Sequence, residues 1–212
     1  MCEIYKQKKR NGSITDQDLE WAYFIRGRNP GFAERTLRED ISTVIRKVAI
    51  IQDEHGDSET WVDNKWINVD PMMIDNLVRF STGGLPIRRQ GEMLHSQVRY
   101  FDGDRRCSGL PPDVAALVTR IEKDWIEIEV INLNAFESRQ LIVQGGAYGE
   151  HRFISVDLQP LDDMREQADS QSHRELDAAA FTIDLAPGSG SKLKLNIRRY
   201  ANQPSYNFPW TR

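Results

Sequence analysis

The chain reads as an α+β protein, a short N-terminal helical segment followed by an antiparallel β-sandwich of about seven strands. Two observations carry this reading. Apolar residues recur at three- and four-residue intervals as far as Ile51, and beyond Pro86 the period changes to two. The change of period sets a boundary, with residues 1–86 as a helical segment and 87–212 as a sandwich that carries a charged insertion near 162–175.

The first helix is short and aromatic. Thr15 or Asp16 caps it, Leu19, Trp21, Tyr23 and Phe24 lie along it to Arg26, and Gly27 with Asn29-Pro30 ends it. After Pro30, Leu37, Ile41, Val44, Ile45, Val48 and Ile51 form an apolar stripe, with Arg38, Glu39, Asp40, Arg46 and Lys47 between them, which predicts an amphipathic helix. Asp70-Pro71 reads as cap and first position of a third helix, Met72 to Ser81, stopped by Gly83-Gly84-Leu85-Pro86. An irregular stretch, Asp53 to Val69, joins the second and third helices.

Three strands have one apolar and one polar face: Ile126, Ile128 and Val130 with Glu127 and Glu129; Ile154, Val156 and Leu158 with Ser155 and Asp157; Phe181, Ile183 and Leu185 with Thr182 and Asp184. Leu193, Leu195 and Ile197 alternate with Lys194 and Asn196, and Ala186-Pro187-Gly188-Ser189-Gly190-Ser191 reads as a hairpin loop back to Leu185. Leu94 to Phe101, Ala115 to Ile121 and Arg139 to Gln144 complete the set, a count that fits a sandwich. Val114, Leu117, Val118 and Ile121 also fit helical spacing. The polar turn Glu122-Lys123-Asp124, directly before the strand at Trp125, favours a hairpin and hence a strand. The insertion from Asp162 to Glu175 reads as a surface loop or short helix.

Lys and Arg number 28 against 32 Asp and Glu, and the basic residues are scattered, so nucleic acid is a poor default partner. The longest apolar run, Val114 to Val118, has five residues, whereas a bilayer span takes about 20. No membrane-crossing helix and no membrane partner are expected, and the composition is that of a soluble globular chain. Cys2 and Cys107 form no CxxC pair. The first thirteen residues contain no export leader, and the compartment stays open.

Chemistry is sparse. His55, His95, His151 and His173 show no metal-ligand spacing, and no nucleophile elbow, Walker loop or dinucleotide fingerprint occurs, so neither metal nor cofactor is expected. The segment Gln144 to Phe153 sets three glycines beside Tyr148, Glu150, His151 and Arg152. Glu150 and His151 could act as an acid/base pair with Tyr148 as a flat platform for a sugar. The stronger expectation is a Gly-rich connection whose polar groups dock on the helical module. A second candidate comprises Trp61, Asp63, Asn64, Trp66, Asn68 and Asp70, with His95 and Arg99 nearby. Trp61 and Trp66 supply aromatic faces for a carbohydrate, although packing between modules is the stronger expectation. Glu127 and Glu129 read as solvent-facing charges. The tail, with Tyr206, Phe208 and Trp210, is expected to pack back against the helices.

The run Trp125 to Asn134, the strand Arg139 to Gln144 and the closing Leu185 to Leu193 resemble the C-terminal β-sandwich of large carbohydrate-active enzymes. In those proteins the sandwich often follows an α-helical toroid, and Leu19 to Arg26, Arg35 to Gln52 and Met72 to Ser81 resemble its last helices. The whole chain is also similar to the end of uncharacterised bacterial proteins of that layout. The resemblance implies a fragment-like, non-catalytic module with a packing role and glycan contact, partnered by a polysaccharide or oligosaccharide and by an upstream helical domain. Three helices cannot close a toroid, and the first helix's aromatic face has few local partners. Two alternatives stand beside this: a hydrolase or lyase whose site joins His95, Arg99, Glu150 and His151 across the two modules, and a subunit-assembly module.

Overall fold

Three helices precede nine strands in the computed structural model, which describes residues 16–56, 59, 68–72, 74–84, 94–161 and 172–211. Helix α1 (Asp16–Phe24) turns Trp21 and Phe24 inward, and α2 (Phe32–Gln52) meets them with Phe32 and Ala33. Helix α3 (Asp75–Thr82) completes the cluster with Phe80. Phe80 lies edge-on to Trp21, Phe24 and Phe32 at centroid distances of 5.6, 5.5 and 5.6 Å, the geometry that ring quadrupoles favour. The aromatic face of α1 thus finds partners within the chain. Helix α3 starts later than its expected Met72 because Asp70 accepts the Met72 N–H at 2.9 Å, closing a local turn and leaving helix entry to Asp75.

The strands are β1 (Val98–Asp102), β2 (Cys107–Ser108), β3 (Val114–Ile121), β4 (Trp125–Asn132), β5 (Arg139–Gly145), β6 (Arg152–Pro160), β7 (Ser172–Ala178), β8 (Ala180–Leu185) and β9 (Gly190–Arg198). They form two antiparallel sheets, ordered β2-β1-β5-β8 and β3-β4-β9-β6-β7. The α+β class and the sandwich are as the sequence predicts. Between the sheets lies one apolar cluster, in which Val118, Ile126, Ile128, Leu141, Val143, Phe153, Leu193 and Leu195 are wholly buried. Each such side chain contributes about 1.5–3 kcal/mol relative to exposure.

Several local expectations change. The first strand begins at Val98, not Leu94, and β2 is an added two-residue edge. Ser172 to Glu175 belong to β7 rather than to an insertion; residues 162–171 lie outside the described set. Ile154 is the extra residue of a bulge, for Phe153 pairs with Ile197 and Ser155 with Asn196, which buries Ser155 and turns Ile154 out of the core. The expected hairpin between β8 and β9 is an arch, because β8 pairs with β5 in one sheet and β9 with β4 and β6 in the other.

The arch is held by Asn132. Its fully buried amide donates to the carbonyls of Glu137, Leu185 and Ala186 at 2.8, 3.2 and 3.2 Å, and its Oδ1 accepts the Asn134 N–H. Asn134 in turn accepts the N–H groups of Phe136 and Glu137, both at 2.9 Å. The Asn-Leu-Asn run therefore organises two chain crossings at one end of the sandwich. Asn132→Ala is expected to lower stability in denaturant unfolding by at least about 2 kcal/mol, since buried carbonyls lose their donor; partly exposed Asn134→Ala should lower it less.

Candidate functional site

The Gly-rich connection between β5 and β6 is a tight loop closed by the His151 N–H donating to the Gly145 carbonyl at 3.1 Å. Gly146 makes the loop possible. Its φ is +81°, and a Cβ there would lie 2.3 to 2.4 Å from the Glu150 carboxylate. That carboxylate folds back to accept the Tyr148 N–H at 2.8 Å. Buried Gln144 donates from Nε2 to the carbonyls of Gly146 and Ala147, both at 3.3 Å.

Arg99 on β1 reaches the same loop. It donates to the Ala147 carbonyl at 3.2 Å and to Ser108 Oγ at 3.3 Å, and its guanidinium lies 5.0 Å from the centre of the Phe101 ring. His151 is 3% exposed, and its Nδ1 accepts the Tyr200 N–H at 3.1 Å while the two rings meet edge-on at 4.8 Å. Burial lowers its pKa; Glu150 opposes this, and Arg199 and His95 add to the lowering. His95, before β1, is exposed. It acts on His151 through space, and among the described residues no hydrogen bond joins the two.

The C-terminal tail completes the surface, packing on the sandwich rather than on the helices. Asn202 donates from Nδ2 to the carbonyls of Gly149 and His151 at 3.1 and 3.0 Å, and its N–H donates to the Glu150 carbonyl at 3.1 Å. Ser205 N–H donates to the Tyr148 carbonyl at 2.9 Å, which brings Tyr206 edge-on to Tyr148 at 5.5 Å. Phe208 and Trp210 stack in parallel at 4.8 Å, and both meet Phe101 edge-on. The covering of Phe101 explains why β1 is buried on both faces. The tail is irregular through Pro204 and ends in a short 3-10 turn, Pro209–Thr211, and its spacing places Asn202, Tyr206 and Trp210 over successive anchors.

The structure thus joins Arg99, Tyr148, Glu150 and His151 and leaves His95 at the margin. Trp61 and Trp66 lie outside the described residues. Concavities of about 510 and 440 Å³ occur elsewhere, on the solvent side of α2 at Arg35, Arg38 and Arg46, and at Lys123, Asn196 and Arg198 by the end of β9. Among the described residues no group of three or more His, Cys, Asp or Glu could hold a metal ion, and no helix there is long and apolar enough to cross a membrane. Glu127 and Glu129, on the outer face of β4, are partly buried beside Lys192, whose Nζ lies 3.1 and 3.9 Å away. The residues that sequence reasoning passed over are Tyr200 and Asn202. Their only signal was the aromatic and amide-rich composition of the tail, since their partners are some fifty positions away.

Gly146→Ala is expected to destabilise the protein by about 1–2 kcal/mol through its positive φ alone, and to displace Glu150 as well. Thermal unfolding and the Tyr148 amide shift read the two effects. A scan against protein-family models, a search of curated proteins and a search of solved structures each return no match.

Proposed function

We propose that the chain is a non-catalytic helical plus β-sandwich module of a carbohydrate-active protein, whose glycan-contact surface is the loop Gly145–His151 together with the tail that covers it. The observation that carries this reading is the Tyr148/Tyr206 pair. Tyr206 is 85% exposed and Tyr200 69% exposed, although both belong to a tail anchored by backbone bonds. Rigidly held, exposed tyrosines beside Asn202, Asn207 and Arg152 offer a flat apolar face for the C–H side of a sugar ring and donors for its hydroxyls. Support for a non-catalytic role comes from the same bonds. The His151 Nδ1 faces a backbone N–H, the Glu150 carboxylate a second one, and Arg99 a carbonyl and a serine hydroxyl. A general acid/base pair needs such groups turned toward a substrate proton.

In a glycan array followed by calorimetry, the full chain is expected to bind at least one neutral oligosaccharide. Tyr206→Ala should weaken that binding by about 3- to 10-fold, the worth of one aromatic contact, and Tyr206→Phe should retain most of it. Absence of binding across the array, or equal binding by Tyr206→Ala, refutes the reading.

A second reading, subunit assembly, is favoured by the distal half of α2. Ile41 and Ile45 are 59% and 64% exposed, and Met72, Ile74 and Leu77 are exposed on the segment tied to α2 by Asn76 bonding Asp40 and by Lys47 bonding the Asp70 carbonyl. Sedimentation velocity is expected to show association that Ile41→Glu with Ile45→Glu abolishes; a clean monomer at all concentrations discards it.

A further inference from the structure

We propose that neutral His151 latches the C-terminal tail and that acidification loosens it, so that the Tyr148/Tyr206 surface is held most firmly near neutral pH and opens more often as the solution is made acidic. The latch itself stands on geometry; only its consequence for glycans rests on the function proposed above.

The argument begins with the direction of one hydrogen bond. Tyr200 N–H can only donate, so the His151 Nδ1 facing it at 3.1 Å must be an unprotonated acceptor. A proton on Nδ1 sets two donors against each other. Tyr200 is also a poor residue for its place, with φ at +52°, a left-handed conformation that only local bonding sustains in a residue with a Cβ. Its hydrogen bond to His151 and the edge-on ring contact are what fix that turn. The turn in turn aims Asn202, Ser205 and Tyr206 at the loop.

The charged surroundings agree. Arg199, next to Tyr200, and His95, ahead of β1, both act against a positive His151, and burial disfavours its charge most. Glu150 on the loop acts the other way, but its carboxylate accepts the Tyr148 N–H. Arg152, the following residue, is paired with Asp177 and Asn202. The sign follows from linkage. His151 titrates below 6.5 when the tail is closed, and lifting the tail returns it toward its ordinary value. Above pH 6.5 neither state holds the proton and the equilibrium is flat. Below it, the open state takes up a proton that the closed state lacks, and opening rises by up to about tenfold for each unit of pH until the closed state also protonates.

The test is amide hydrogen exchange of Asn202 and Ser205 in the full chain between pH 7.5 and 5.0, corrected for intrinsic exchange, together with the NMR titration of the His151 ring. Protection is expected to hold from 7.5 to 6.5 and then to fall several-fold by pH 5.5. His151→Asn places a non-titrating oxygen near the position of Nδ1 and should give a flat profile. His173, the other described histidine with a shifted pKa, is on the β7 edge, where Glu175 and Asp157 raise it, and His173→Asn should leave the fall intact. A flat wild-type profile, a His151 pKa at or above 6.5, the same fall in His151→Asn, or its loss in His173→Asn overturns the latch. No ligand enters the measurement, so failure of glycan binding and failure of the latch are separate results.

Discussion

The structure turns on one buried amide, Gln97, and the arginine that reaches it. The Gln97 N–H donates to the Thr82 carbonyl at the end of α3, its carbonyl accepts the Gly146 N–H, and its side-chain oxygen accepts from Arg199. Arg199 also donates to the carbonyls of Lys123 and Glu122 in the β3–β4 turn, at 3.0 and 2.8 Å. Five parts of the chain that are distant in sequence meet there: the helical layer, the entry to β1, the β5–β6 loop, the β3–β4 turn and the start of the tail. Partial burial lowers the Arg199 pKa. The guanidinium persists because each of its three nitrogens donates to a carbonyl or amide oxygen, the condition under which a partly buried cation is tolerable.

Strand β3 imposes the second constraint. As the outer strand of its sheet it would expose a row of unpaired backbone groups, a liability that proteins cover or disrupt. Here the chain leaving α1 covers it: Ile121 N–H donates to the Ile25 carbonyl at 2.9 Å, and Arg26 forms an antiparallel bridge with Arg120. The faces of β3 divide in the same way. Val114 and Val118 enter the sandwich core, Leu117 packs on the Trp21, Phe24, Phe32 and Phe80 cluster, and Ile121 touches both. Tyr100 adds a link from the other sheet, donating from its buried hydroxyl to the Ser81 carbonyl at 2.7 Å. That hydroxyl titrates above its ordinary value because burial disfavours the phenolate. The helical layer therefore covers the β3 edge at its Arg120–Ile121 end.

Periodicity made the core legible. Strand β4 alternates as Ile126, Ile128 and Val130 require. The stripe on the long helix reported its period but not its burial, for α2 buries Phe32, Ala33 and Thr36 while Ile41, Ile45 and Ile51 of the stripe stay exposed. What periodicity lacks is the destination of a turn. Pro187 and Gly188 mark a reversal after β8, but whether the next strand pairs or crosses is decided by Asn132, more than fifty positions earlier, whose amide grips Leu185 and Ala186. The bulge at Ile154 escaped for a related reason: one extra residue reverses every later side chain, and only pairing with β9 reveals it. At the candidate site, the loop was visible through its glycines, whereas the tail that gives His151 its partner was visible only as composition.

The two best-defined histidines show why residue type alone could not settle the chemistry. His173 is exposed on β7, with Asp157 Oδ1 at 2.6 Å from Nδ1 and Glu175 Oε1 at 3.0 Å from Nε2. Hydrogen bonds to Glu175 and Asp157 raise its pKa above 6.5. Its folded form therefore holds a proton more firmly than the unfolded chain, a stabilisation present below pH 6.5 and lost as pH rises through the raised value, and weakened by solvent screening. His151 has the opposite surroundings, a buried ring facing a backbone donor, and the opposite sign: full stability above pH 6.5 that diminishes as pH falls. One imidazole is an acid held by carboxylates at a sheet edge, the other an acceptor built into a turn. What separates them is the group that the ring meets: for His173 the carboxylates of Glu175, two places along β7, and of Asp157 on β6, and for His151 the Tyr200 N–H of the tail.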